Sequence, residues 1–465
     1  MLNLKFMKTK ILVLFVLLVS MNYNFSQKNL SLYNLRGTPQ AITVNPAFMP
    51  KSKIYLSLPL GMMNFGISNS GFSFNDLFTK RADDSLVINT ENVINGLSAN
   101  NIFSAESNIE IFGIGIKISD TYFNFTLNSK VQSNFIYPKD VFKLAFEGNG
   151  KSFIGERASF DGLGINFNAF TEYAFGVTKE INDKLTIGGR FKLISGIANF
   201  NTRKTNLGLY TDPTTFALTI DGSAEFNSSN IFQFMNDSIS SPEQLRKDMT
   251  ASVFNFSNKG IGLDLGASYK INDKFSVNAS LIDLGSIHWN TNVTSYKTDD
   301  FNYTFEGVDL NKLINDTTDV FSTIQDSIQK AFNYEENNDS YTTSLYTKFY
   351  LGGNFHINKS FNAGAVLLSQ FVKGKYSPSF SLSMNATIKS WLSATINYSI
   401  MNKTFNNVGA GISLRGGPIQ FFLMSDNILA FIDPLSSRTF HICGGMSIFI
   451  KEKAEKKKDN NEKAN

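Results

Sequence analysis

Setting Ile181, Ile271, Ile357 and Ile388 in register aligns four stretches of the chain: INDKLTIGG, INDKFSVNA, INKSFNAGA and IKSWLSATI. Each has an apolar residue four places after the Ile, and from there alternate positions are mostly apolar. The first runs Leu185, Ile187, Phe191, Leu193, Ile197, and the second Phe275, Val277, Ala279, Leu281. The third runs Phe361, Ala363, Ala365, Leu367, Phe371, and the fourth Leu392, Ala394, Ile396, Tyr398, Ile400. A period of two sustained for about ten residues predicts β-strands. The residues leading into two of the turns alternate as well, from Ile165 to Ile181 and from Ile261 to Ile271. Each unit is therefore a strand, a short polar turn and a returning strand, and ISDTYFNFTLNSK from Ile118 reads as a shifted copy.

The other face of these strands is polar. Arg190 and Lys192 oppose the apolar row of their strand, Asp264 and Ser268 that of theirs, and Lys348, Asn354 and His356 that of the strand ending at Ile357. Strands of about ten residues with one apolar and one polar face suit a transmembrane barrel with its apolar side outward. They also suit a soluble sandwich or barrel with that side inward. Aromatics near strand ends favour the membrane, where an interfacial girdle needs them: Tyr122, Phe123, Tyr173, Phe275, Trp289, Phe349, Phe361 and Trp391. The expected fold class is all-β, a transmembrane antiparallel β-barrel over residues 53–450 with about 14 strands at about ten residues each.

The connections sort into two kinds. NDK and NKS turns suit a periplasmic rim, while Gly71 to Ser107, Pro138 to Ala158, Phe226 to Lys259 and Glu306 to Ser340 read as long extracellular loops. Within these, KDVFKLAFEG and VDLNKLINDTTDVFSTIQDSIQKAF have helical spacing. A closed sheet of this size encloses a lumen that side chains alone do not fill. The segment 27–52, which includes Asn45 and Pro46, precedes the first strand and is the expected plug.

Lys5, Lys8 and Lys10 followed by the apolar run Ile11 to Val19 and a polar stretch ending at Ser26 have the form of a signal peptide over residues 1–26. Export without a later apolar helix directs the expectation to the outer membrane, with its lipid as the barrel's surroundings. The chain has 465 residues, a formal net charge of +4 and a single Cys, which excludes a disulfide framework and points to no nucleic-acid partner. Much of the basic excess lies in residues 451–465, read as a disordered periplasmic tail.

Asn45–Ala47 (NPA), Leu58–Pro59 (LP), Gly71–Phe78 (GFSFNDLF) and the closing FHICGGMSIFI carry a resemblance. Together they resemble an uncharacterised family of Bacteroidota outer-membrane barrels, a domain of unknown function related to fatty-acid-transporter-like barrels. The resemblance implies about 14 strands and an N-terminal plug, but no substrate.

Little in the chain suggests catalysis or a cofactor. His288, His356 and His441 lack metal-ligand spacing, and no Ser, His and carboxylate combination stands out, so neither an enzyme nor a metal site is expected. His441 and Cys443 share the polar face of the last strand, and His288 with Trp289 reads as an interfacial pair. Asp283 breaks the alternation, because Phe275, Val277 and Leu281 assign its face to lipid, where a carboxylate is costly. A bulge between Asp283 and Gly285 would reverse the parity, and the resemblance to fatty-acid-transporter-like barrels, in which an inward strand kink can open a lateral exit for an apolar ligand, implies a lateral opening there. Tripeptides at Asp84, Asp237, Asp316 and Asp326 resemble O-glycan acceptor sites of the same phylum.

The functional expectation is a channel or transporter for a small hydrophobic ligand, with Arg190, Lys192, Asp264, Lys348, His356 and Arg415 facing the lumen. The alternative is a non-transporting barrel that docks to a secretion or surface assembly.

Overall fold

The computed structural model describes residues 29–50, 52–230, 255–305, 334–372, 375–389, 391–401 and 404–450. Its strands form one closed antiparallel barrel of 14 wall positions. In chain order these are β1 (Ile54–Ser57 and Met62–Asn69), β2 (Asn100–Ile118), β3 (Thr121–Pro138), β4 (Gly164–Glu180) and β5 (Leu185–Thr211). Then come β6 (Leu218–Ser229 and Asn258–Lys270), β7 (Phe275–Trp289, Val293–Thr298, Phe301–Phe305) and β8 (Tyr334–Asn337, Tyr341–Ser344, Thr347–His356). The last six are β9 (Phe361–Val372), β10 (Lys375–Ile388), β11 (Leu392–Met401), β12 (Thr404–Gly416), β13 (Ile419–Ser425) and β14 (Thr439–Ile450). The ring closes where β14 pairs with β1, Leu56 opposite Ile448 and Phe65 opposite Ile442.

The repeated Ile–Asn turns now have a mechanism. In each, the Asn side-chain oxygen accepts two backbone N–H groups just ahead: Asn182 from Lys184 and Leu185, Asn272 from Lys274 and Phe275, Asn358 from Ser360 and Phe361, all at 2.8–2.9 Å. Asn is used because its short amide copies a backbone turn. All three lie at one end of the barrel.

The opposite end departs from expectation in two respects. Val372 pairs directly with Lys375, and Met401 with Thr404, so two connections there are as short as those at the other rim. Phe226–Lys259 is not a loop between neighbouring strands. Both flanks pair with β5, Ser229 with Asn199 and Asn258 with Gly196, so the insertion interrupts one wall strand. Lys139–Glu147 forms the anticipated helix, whereas the helical pattern of 308–332 lies outside the described residues, as do 1–26, 451–465 and the tripeptides at Asp237, Asp316 and Asp326.

Burial is inside-out relative to a soluble protein. Phe175 (50%), Leu265 (47%) and Ile396 (53%) are among many apolar side chains left open on the outer face, while Arg190 (2%), Lys192 (1%) and Asp264 (0%) are buried within. A continuous apolar band of this kind is stable against hydrocarbon and an aggregation hazard in water.

One irregularity re-aims part of β7. Leu263 pairs with Leu284 but Leu265 with Leu281, so Asp264 stands opposite both Ile282 and Asp283. Asp283 takes φ 60, a left-handed conformation that Asp tolerates better than most residues. Beyond this bulge the parity reverses: Leu284 is exposed while Ile287 and Trp289 are buried. Trp289 is therefore not an interfacial girdle residue, contrary to expectation. Tyr122 is not one either, since it is buried inside and strand alternation leaves only its neighbour Phe123 to face outward. In nanodiscs, a label at Leu284 should be quenched by a lipid-borne quencher and one at Ile287 should not. Equal quenching would contradict the bulge.

Candidate functional site

Alternation aims the even-numbered residues of β3 and β4 inward, and the bulge adds Asp283. The result is a buried cluster of Lys130, Glu172, Arg190, Lys192, Asp264 and Asp283, drawn from β3 to β7. Lys192 Nζ is central, 2.5 Å from Asp283, 2.6 Å from Asp264 and 3.4 Å from Glu172. Lys130 Nζ lies 2.6 Å from Glu172 and 3.5 Å from Asp283, and Arg190 lies 3.2 Å from Asp264 while donating to Thr126 at 2.6 Å. Three cations thus face three anions in a cluster with no net charge. The Asp283 N–H also donates to Asp264 at 2.8 Å, which ties the bulge geometry to the cluster.

Lys348 on β8 extends the site, 3.6 Å from Glu106 of β2. Both border a cavity of ≈ 40 Å³ together with Glu172, Lys192, Asp283 and Thr43 of the N-terminal segment. That volume holds about three waters at about 10–15 Å³ each.

Of the residues expected in the lumen, Arg190, Lys192, Asp264 and Lys348 meet at this one place. His356 and Arg415 do not. His356 borders a separate cavity of ≈ 50 Å³ near the short-turn rim, with Arg36 and Asn385. Arg415 sits at the same rim, its guanidinium 4.3 Å from the Phe449 ring centre. Gly285 lies beyond the bulge, its carbonyl accepting the Leu345 N–H at 2.9 Å, and the Asp283 carbonyl accepts the Thr347 hydroxyl at 3.1 Å. β7 and β8 are thus bridged where a lateral opening was expected. Glu172, Lys130 and Glu106 were missed by sequence reasoning, although the inward parity of Glu172 was available from β4. Their pairing was not, because the partners lie on different strands, 20 or more residues apart.

His441 is structural: Nδ1 accepts the Asp426 N–H at 2.9 Å and Nε2 lies 2.7 Å from Asn64 Oδ1. Cys443, on the same face, is buried.

Residues 29–50 are packed against inward-facing groups of many wall strands. Leu30 and Ser31 N–H groups donate to Asp426, at 3.2 and 2.8 Å, and Tyr33 stacks on Tyr350 of β8 at 5.3 Å. Asn45 Nδ2 donates to the Ala279 carbonyl at 3.3 Å, and Thr178 of β4 donates to the Pro46 carbonyl at 2.5 Å. The approach is closest at two glycines. A Cβ on Gly188 would lie 2.2 Å from the Pro46 carbonyl oxygen, and one on Gly266 2.3 Å from Asn45 Oδ1.

Residues 46–426 match a family of unknown function, DUF5723. The chain belongs to that family. No curated protein matches the sequence. Among solved structures, this DUF5723 member is similar to the toluene transporter TodX of Pseudomonas putida, at 9% identity over 89% of this chain and 94% of that one, with a TM-score of 0.38. It is also similar to a FadL homologue of Pseudomonas aeruginosa, at 11% identity over 90% and 94%, with a TM-score of 0.37. Likenesses of this size carry no conclusion about ligand or mechanism.

Proposed function

We propose that the chain is an outer-membrane channel or transporter for a small ligand, and that residues 29–50 are a plug that closes its lumen. The observation that carries this reading is the character of the segment's contacts. Its one charged residue, Arg36, lies over the Phe48 ring of the same segment at 4.4 Å rather than on a wall carboxylate. What holds it to the wall is a set of hydrogen bonds and the apolar packing of Leu30, Leu32, Tyr33 and Leu35. Hydrogen bonds of this kind contribute about 0.5–1.5 kcal/mol each net of what water offers in exchange. No ion pair joins the segment to the wall among the described residues, so on leaving it gives up neutral hydrogen bonds and the two N–H groups that Asp426 accepts, all of which water in a hydrated lumen can replace. No feature of the described residues favours the alternative of docking to a secretion or surface assembly.

A covalent staple tests this. A Cβ on Gly37 would stand 3.2 Å from that of Ser393 on β11, near the about 3.5–4.5 Å of a disulfide. The oxidised Gly37→Cys/Ser393→Cys protein should show little solute flux in liposomes, and reduction should restore the wild-type rate. Flux unaffected by the staple, or none in the wild type, would refute the gated-channel reading.

A further inference from the structure

On the loop side of the charge cluster lies a larger cavity of ≈ 300 Å³, between the inner faces of β4 and β5 and the β8 residues from Thr342 to Tyr346. Its size is at the lower end of the about 300–1,000 Å³ of small-molecule pockets. Carboxamides dominate its wall. Asn166 pairs across the strands with Asn201 and Asn168 with Asn199, and β3 continues the two rows with Asn134 and Gln132. Alternation alone produces such a block when every second residue of adjacent strands is Asn or Gln.

The amides are not equally engaged. Asn199 donates to the Phe167 carbonyl at 2.8 Å and to Asn168 Oδ1 at 2.7 Å, and it accepts the Tyr341 hydroxyl at 2.6 Å. It is a positioning residue that holds the array. The side-chain oxygens of Asn166, itself 3% exposed, and Asn201 accept no hydrogen bond from the protein. Buried acceptors are costly unless something donates to them. Among the described residues that line the cavity the one charged side chain is Arg203 at its rim, and it is paired with Glu225 at 2.7 Å.

This chemistry discriminates among ligands. A hydrocarbon would leave the amide oxygens unpaired, and an ionised solute would find no counter-charge. A molecule with several neutral hydroxyls supplies donors to the oxygens and acceptors to the NH₂ groups together. We infer that this cavity binds a small neutral polyhydroxylated ligand of the saccharide class, with Asn166 and Asn201 accepting its hydroxyl protons. Binding does not depend on the channel reading; only onward movement of the ligand rests on it.

Trp289 provides the probe, since its indole N–H donates at 2.8 Å to Thr343, whose side chain borders the cavity. Trp391, the other Trp, faces outward at 49% exposure. With the full chain in detergent and a Trp391→Phe background, glucose and maltose should produce saturable changes in Trp289 emission, confirmed by calorimetry. Asn166→Leu/Asn201→Leu, shown to be folded by its heat-modifiable gel mobility, should bind at least about tenfold more weakly, equivalent to losing one to two well-made hydrogen bonds. The proposal is overturned if neither sugar binds saturably to the Trp391→Phe protein, if the folded double variant binds equally well, or if gluconate or toluene binds more tightly than either sugar. Sugar binding without flux would refute the channel reading and leave the site standing. Flux without saturable binding would do the reverse.

Discussion

Replacing Lys192 by Met should be the most damaging single change to the barrel wall. The ammonium is 1% exposed and lies within 2.6 Å of both Asp264 and Asp283. Its loss leaves a buried cluster of three carboxylates facing only Lys130 and Arg190, and breaking a buried pair typically costs about 3–5 kcal/mol. Urea unfolding in detergent, followed by gel mobility, should show that loss. The double change Lys192→Met/Asp283→Asn restores neutrality with a residue that tolerates the left-handed backbone of position 283, and it should recover much of the loss, because the penalty comes from the uncompensated charge rather than from the missing attraction. Arg203→Ala, which removes an exposed pair with Glu225, should cost under about 1 kcal/mol. A Lys192→Met loss no greater than that of Arg203→Ala would mean that the cluster is already well hydrated.

The second large effect is expected at Gly188. Its missing Cβ is what lets the Pro46 carbonyl approach the wall, at a point where backbone rather than a flexible side chain would be struck. Gly188→Val leaves β5 able to form, since a β-branched residue suits a strand, but it forces the N-terminal segment off the wall. Conductance in planar bilayers should rise well above the wild-type level, and residues 29–50 should become accessible to protease. Gly353→Val is the control, since a Cβ there meets nothing within 4 Å. Unchanged conductance in Gly188→Val would show that the segment does not gate the lumen.

The strand pattern was legible because barrel walls obey a rule local to each strand: every second residue faces outward, as Phe175, Val177, Ile187 and Phe191 do. Turn positions were legible for a related reason. Asn182, Asn272 and Asn358 each close a turn with their own side chain, so position and cause lie within four residues. The rule failed where an extra residue entered a strand. The bulge between Asp283 and Gly285 was itself legible from the misplaced carboxylate, but Trp289 was still read as interfacial, although one bulge changes the parity of everything after it and turns Ile287 and Trp289 inward. Asp283 was visible as a contradiction in the pattern, but its partners were not.

The sequence by itself determined the wall: strand periodicity, the sorting of apolar and polar faces, and most turns. These follow from interactions between near neighbours and from the solvent each face meets. Only the tertiary structure decided what occupies the interior. Lys130, Glu172, Lys192, Asp264 and Asp283 come together because curvature of the closed sheet brings β3 to β7 around one volume. Gly188 and Gly266 are significant only because residues 45 and 46 return to meet them. Such contacts depend on closure of the whole ring, and no local pattern along the chain records which inward-facing residues will share a lumen.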